Sequence, residues 1–148
     1  MVKKIIHIGD IHLRTYKRHN EFIETAEKFF SEISQLPYEY NEMRIVIAGD
    51  LVHQKITVSN ELFKITSWFL NECSKIAKTI IIAGNHDLLE NNKDRLDSIS
   101  PIVELMNNPN ISYYKESKCY EDENIMWAVY SIFEENEKPK FGRKKKGK

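Results

Sequence analysis

The sequence predicts an α/β fold, a mostly parallel sheet flanked by helices, on three observations. Short β-branched apolar runs end in glycine followed by Asp or Asn at three places, amphipathic stretches at helical spacing fill the intervals, and the two alternate as strand, helix, strand, helix, strand. That alternation is the rhythm of parallel strands joined by right-handed crossovers.

Residues 3–8 are the first run, closed by Gly9-Asp10; residues 44–48 repeat the pattern before Gly49-Asp50, and residues 79–83 repeat it before Gly84-Asn85. Near-continuous apolar runs of this length read as strands covered on both faces. Between the first two, residues 20–36 place Phe22, Ile23, Ala26, Phe29, Phe30, Ile33 and Leu36 on one helical face. Pro37 ends that helix, because the residue before a proline is pushed out of the α region. Between the second and third, residues 59–76 bring Leu62, Ile65, Trp68, Phe69, Cys73 and Ile76 onto one buried stripe. Further on, Asn107-Asn108-Pro109-Asn110 is a turn-rich stretch and residues 126–133 read as a late strand. Trp68 and Phe69 are core residues on this reading, and Tyr113, Tyr114 and Tyr120 finish a sheet edge. His7 packs within the first strand, and His19 faces solvent at the start of the first helix.

In an open parallel sheet the ligand site lies beyond the carboxyl ends of the strands. Asp10-Ile11-His12, Gly49-Asp50 and Gly84-Asn85-His86-Asp87 all fall there. Asp and Asn often do no more than cap turns, but each of these is followed by a histidine, at 12, 53 and 86, which turn capping does not require. Carboxylate, imidazole and carboxamide are the donors that hard or borderline divalent cations take, and a carboxylate can bridge two of them. Two ions about 3.5 to 4 Å apart can hold a phosphodiester, lower the pKa of a water and stabilise the leaving oxygen.

Asp-x-His, then Gly-Asp, then Gly-Asn-His-Asp, in that order and each after a strand, resembles the calcineurin-like metallophosphoesterases. In Gly49-Asp50-Leu51-Val52-His53 a histidine stands where protein phosphatases of this superfamily carry aspartate. With Gly84-Asn85-His86-Asp87, this makes the chain similar to the double-strand-break repair nucleases, the SbcD type of bacteria and the MRE-eleven (meiotic recombination) type of archaea and eukaryotes. Asp94-Arg95-Leu96-Asp97-Ser98 and the late strand look like forms of this nuclease carried by large DNA viruses. The resemblance covers roughly residues 2–135 and the amino-terminal part of the family's catalytic domain. It implies the amino-terminal half of a metallophosphoesterase β-sandwich that binds two divalent ions, Mn2+ foremost. Asp10 and His12 would hold the first ion, Asp50 would bridge both, and Asn85 would hold the second. His53 and His86 would be catalytic, facing the scissile phosphate, with His86 protonating the leaving oxygen. Asp87 would orient His86 through its other ring nitrogen.

The activity so implied is exo- or endonucleolytic hydrolysis at DNA ends in double-strand-break repair. DNA, a second copy of the chain and an SMC-like ATPase of the SbcC/Rad type are the expected partners. The family pattern continues with a further His and a Gly-His-x-His that complete both metal spheres, whereas the five histidines here are His7, His12, His19, His53 and His86. The expectation is therefore a partial phosphoesterase domain over residues 1–137, with a weak second metal site and little turnover alone. A separately encoded carboxy-terminal half would supply the rest. The alternatives are a catalytically silent module that binds DNA or a partner, and a phosphoesterase acting on a substrate other than DNA.

With 41% hydrophobic residues in 148, the chain can build one real core. No apolar run is long enough to span a membrane, and Lys3 and Lys4 lead directly into a strand instead of a secretory signal, so an intracellular place, cytoplasmic or nuclear, is expected. Cys73 and Cys119 share no spacing motif and read as free thiols of a reducing compartment. The zero net charge hides an asymmetry: seven of the 22 Lys and Arg lie from Lys138 onward, where no acidic residue occurs, which leaves the body at −7. Arg143, Lys144, Lys145 and Lys146 in that tail could contact nucleic-acid phosphates, although a charge run is more often a solvated, disordered end. Arg95, after the polar residues 90–93, could reach a phosphate or form a surface ion pair.

Overall fold

The computed structural model describes residues 1–14, 18–53, 58–88 and 96–134. The basic tail with Arg143, Lys144, Lys145 and Lys146, and the polar stretch with Asp94 and Arg95, lie outside the described residues. Six strands and three α-helices follow in the order β1 (Lys4–Ile8), α1 (His19–Ser34), β2 (Met43–Ala48), α2 (Asn60–Ile76), β3 (Lys78–Ile82), α3 (Ser100–Met106), β4 (Ile111–Tyr113), β5 (Cys119–Asp122) and β6 (Ile125–Ala128). β1 to β4 form one sheet in sequence order, every pairing parallel, and β5 pairs with β6 as an antiparallel hairpin.

The alternation along each strand decides what covers each face. Ile45, Ile47 and Ile81 point to one side, where they are fully buried with Ala26 and Ile33 of α1, Leu62, Phe69 and Leu70 of α2 and Ile102 of α3. All three helices thus pack on a single face. Phe22 of α1 meets Phe69 of α2 edge-on at 5.3 Å, and Phe30 meets Trp68 at 5.8 Å, so Trp68 and Phe69 are core residues, as their spacing implies. α2 begins where Ser59 accepts a hydrogen bond from the Leu62 amide, the side-chain cap that the first turn's free N–H groups call for. Cys73 is buried under this helix and its thiol is pushed up to about 12 by burial, which makes it inert as a nucleophile.

The opposite face is only partly covered. Val46 and Ile80 are buried there against Tyr114 and Val129, with Tyr120 and Trp127 from the hairpin packed alongside; the Tyr114 and Tyr120 rings stack at 3.9 Å. A buried ion pair, Arg44 of β2 with Asp122 of β5, pins the hairpin down at 2.7 Å and 2.9 Å. Among the described residues nothing covers the β1 end of this face: Ile5 and His7, in register with Arg44 and Val46, are exposed. His7 therefore does not pack, because it stands on the side of β1 that the helices leave free.

Two further expectations change. The late strand is shorter than residues 126–133: β6 stops at Ala128, and the chain passes into a 3-10 turn at Ile132–Glu134. There Ser131 N–H donates to Ser117 Oγ instead of to a strand neighbour. His19 is half-buried, with Nε2 2.5 Å from the Arg14 carbonyl oxygen.

Candidate metal centre

The carboxyl ends of β1, β2 and β3 bring the three motifs together. Beyond β1 and β2 the chains stay parallel: Asp10 N–H donates to Gly49 O, His12 N–H to Asp50 O, Leu13 N–H to Leu51 O and His53 N–H to Leu13 O, all between 2.9 and 3.2 Å. Gly49 N–H donates to Ile82 O at the end of β3. Asp10, His12 and Asp50 adopt the left-handed backbone region, with φ of 53°, 51° and 52°. Asp and His are among the non-glycine residues that tolerate it, at a cost of about 1–3 kcal/mol each, and such strain collects at ligand sites.

This backbone aims the side chains at one another. His12 Nε2 lies 3.7 Å from Asp10 Oδ1 and 3.8 Å from Asp50 Oδ2, and one donor atom from each of the three residues falls within 4.8 Å of the others. A divalent ion held at about 2.0–2.2 Å by imidazole and carboxylate needs neighbouring donors about 3 to 3.5 Å apart, so small rotations close the set. Asp50 is buried while the Asp10 carboxylate is 84% exposed, so the trio is a shallow site open to an incoming phosphate. The donor chemistry fits a first ion. Asn85 sits on the third motif and is exposed.

His53 and His86 stand immediately beside this set. Their rings stack at 5.6 Å with 11° between planes, and the His12 ring meets His86 edge-on at 4.7 Å. Burial, then the charge of Arg14, then the neighbouring imidazoles lower the pKa of the His53 ring from its ordinary value. Asp50 Oδ1 accepts the His86 backbone N–H at 2.9 Å, so a residue aligned for the first ion also sets the third loop.

Asp87 has a different place from that expected of it. Its carboxylate accepts from the backbone N–H groups of Val52 at 2.9 Å, Gly84 at 2.9 Å and Leu51 at 3.3 Å, so it ties the second and third motifs together through their main chains. Burial pushes its pKa up, opposed by those three N–H groups. Asp87→Ala strands three buried donors and is expected to cost about 3 kcal/mol, read as a lowered urea midpoint.

Sequence reasoning missed the cleft next to His12. It has a volume of about 350 Å3, with Leu13 and Phe22 among its apolar wall and Arg14 and Arg18 on it. The spacing of His12 and Arg14, two residues apart after a strand, was the available signal.

The profile of the calcineurin-like phosphoesterase family matches residues 3–139. The chain is 39% identical over 136 residues to uncharacterized protein R555 of Acanthamoeba polyphaga mimivirus, an alignment that takes in 91% of this chain and 10% of that protein. It thus spans about a tenth of the length of the curated relative it matches. No helix among the described residues is long and apolar enough to cross a membrane. The parallel sheet, the strand-end donors and the extent of the family match lead to one conclusion: the chain belongs to the calcineurin-like phosphoesterase family.

Proposed function

We propose that this chain carries the metal-binding strand ends of a metal-dependent DNA nuclease that hydrolyses phosphodiesters at DNA ends, of the SbcD and MRE-eleven kind. The observation that carries the reading is the pair His53 and His86, stacked beside the Asp10, His12 and Asp50 donors. A phosphodiester on those donors would meet two imidazoles at its flank. The cleft with Arg14 and Phe22, where Arg18 is paired with Glu21 at 3.6 Å, adds a partly apolar wall with one further guanidinium, which suits a neighbouring nucleotide better than a lone phosphate.

In this mechanism Asp10, His12 and Asp50 would hold the first divalent ion, and Asn85 with Asp50 would hold a second; Mn2+ suits the oxygen-rich set. Such ions supply Lewis acidity to a phosphoryl oxygen and a lowered pKa for water when bound. His86, fixed by the bond from its amide to Asp50, donates a proton to the leaving oxygen, and His53, stacked on the His86 ring, steadies the phosphate through its ring N–H. With only Asp50 and Asn85 among the described residues assigned to a second ion, turnover by these residues alone is expected to be slow. A second copy and an SMC-like ATPase would be its partners in the assembly.

The test is manganese-dependent cleavage of linear duplex DNA with protein in excess over ends, alongside the small diester bis(4-nitrophenyl) phosphate. Cleavage of both is expected, with Asp50→Ala losing more than about 100-fold, beyond what perturbing a ligand's support alone costs. Turnover of the small diester without any cleavage of DNA would overturn the nuclease reading and leave the phosphoesterase.

A further inference from the structure

The two nitrogens of His12 face different neighbours. Nε2 is turned to the carboxylates of Asp10 and Asp50, at 3.7 Å and 3.8 Å. Nδ1 is turned to His53, whose own Nδ1 is 3.3 Å away. His86 stands against both rings, its centroid 4.7 Å from that of His12 and 5.6 Å from that of His53, and one nitrogen from each of the three rings lies within 4.8 Å of the others. No carboxylate belongs to this trio.

We propose that His12, His53 and His86 form a second, imidazole-only site for a borderline cation such as Zn2+, sharing His12 with the carboxylate site and therefore excluding it. Tetrahedral zinc with imidazole nitrogens at about 2.0–2.1 Å sets neighbouring donors about 3.3–3.4 Å apart. The His12–His53 separation of 3.3 Å already has that value, and His86 needs only a small swing to join. Three imidazoles select zinc, cobalt, nickel or copper, whereas the Asp10, His12 and Asp50 set leans to manganese or magnesium.

Exclusion follows from the valence of one ring. A neutral imidazole has a single lone pair and a single N–H. An ion on Nε2 of His12 leaves the proton on Nδ1, where it donates to His53. An ion on Nδ1 leaves the proton on Nε2, where it donates toward Asp10 and Asp50. The two occupancies are thus the two tautomers of His12, and they cannot coexist unless the ring loses its second proton. Zinc in the histidine trio would also remove His53 and His86 from any part in hydrolysis, so manganese and zinc would act in opposite directions. The site does not depend on the substrate being DNA.

Cobalt(II) is the probe, because a tetrahedral Co2+ absorbs strongly in the visible and an octahedral one weakly. Untagged protein is expected to develop an intense band at one equivalent of Co2+, retained in Asp10→Ala, reduced at least tenfold in both His53→Gln and His86→Gln, and bleached by one equivalent of Zn2+. In a parallel titration followed by the free Mn2+ electron spin resonance signal, Zn2+ should release bound Mn2+ from the unaltered protein but not from His53→Gln or His86→Gln. His12→Gln should lose both the band and Mn2+ binding. Circular dichroism of each variant separates loss of the site from loss of the fold, and either histidine variant alone suffices if the other does not fold. A weak octahedral-type spectrum, a band that survives in both folded histidine variants, a band lost in folded Asp10→Ala, or one Zn2+ and one Mn2+ bound together would each overturn the proposal.

Discussion

Gly84→Ala is expected to disable the metal centre and to lower the stability of the chain by at least about 3 kcal/mol, the upper end of the usual overpacking range. A Cβ at Gly84 would overlap the Asp50 carboxylate oxygen and the Asp50 amide nitrogen, and would lie 2.8 Å from Asp50 Cγ. One obstacle is main chain, so no rotamer change relieves it. The other is the carboxylate that faces His12 and accepts the His86 N–H, so moving it dismantles the site. Gly84 N–H is in turn bonded to Asp87, so the third loop cannot simply lift away. Urea denaturation and a Mn2+ titration check this together: a marked fall in midpoint and at least a tenfold weaker first ion are expected. A variant with unchanged midpoint and Mn2+ affinity would show that the loop has room that the close approach denies.

Asp122→Ala is expected to cost about 3 kcal/mol, the lower end of the range for breaking a buried ion pair, because Glu123 still reaches the Arg44 guanidinium at 3.3 Å. The side chains of Arg44 and Asp122 are only 4% and 3% exposed. The guanidinium also donates to the Met43 and Asn41 carbonyls, and Trp127 Nε1–H donates to Asp122, so the carboxylate joins β2 to both strands of the hairpin. Replacing the pair by Arg44→Met with Asp122→Leu should be far milder, since apolar groups of similar volume remove the charge together with its partner. The pair also predicts an acid transition. The Arg44 hydrogen bonds hold the Asp122 carboxyl down to about 2, below its unfolded value near 3.9. Its contribution, about 2 kcal/mol, is therefore complete above roughly pH 4 and is lost as pH falls toward 2. Urea midpoints at pH 6 and pH 2.5 should show this fall in the unaltered chain, and a smaller one in the double variant.

Both effects involve neighbours that the sequence hides to different degrees. β1, β2, β3, α1 and α2 are legible because each carries its own periodicity and its own stop: glycine for the strands, Pro37 and Ser59 at the helix boundaries. The convergence of Asp10, His12 and Asp50 is legible for the same reason, since a strand end is a place that periodicity can locate. α3 is not: seven residues with Pro101 in the first turn give a helical face too short to stand out. β5 is likewise short and polar, and its turn puts Glu123 at a φ of 52° without a glycine to announce it. Pairings across long separations are the least readable. Arg44 finds Asp122 78 residues later, and nothing local to Asp87 reveals that the amides of Leu51 and Val52 are its partners.

The order of the sheet has a consequence in time. Since neighbours in space are neighbours in sequence from β1 to β4, the sheet can grow by adding one strand at a time to an existing edge, as suits a chain that emerges from its amino terminus. Asp10, His12 and Asp50 need only β1 and β2 to meet, whereas the histidine trio waits for β3 to deliver His86. On the proposed assignments, a nascent chain would thus present its oxygen-rich ligands before it could present three imidazoles, so the two sites would form in the order in which the strands are added.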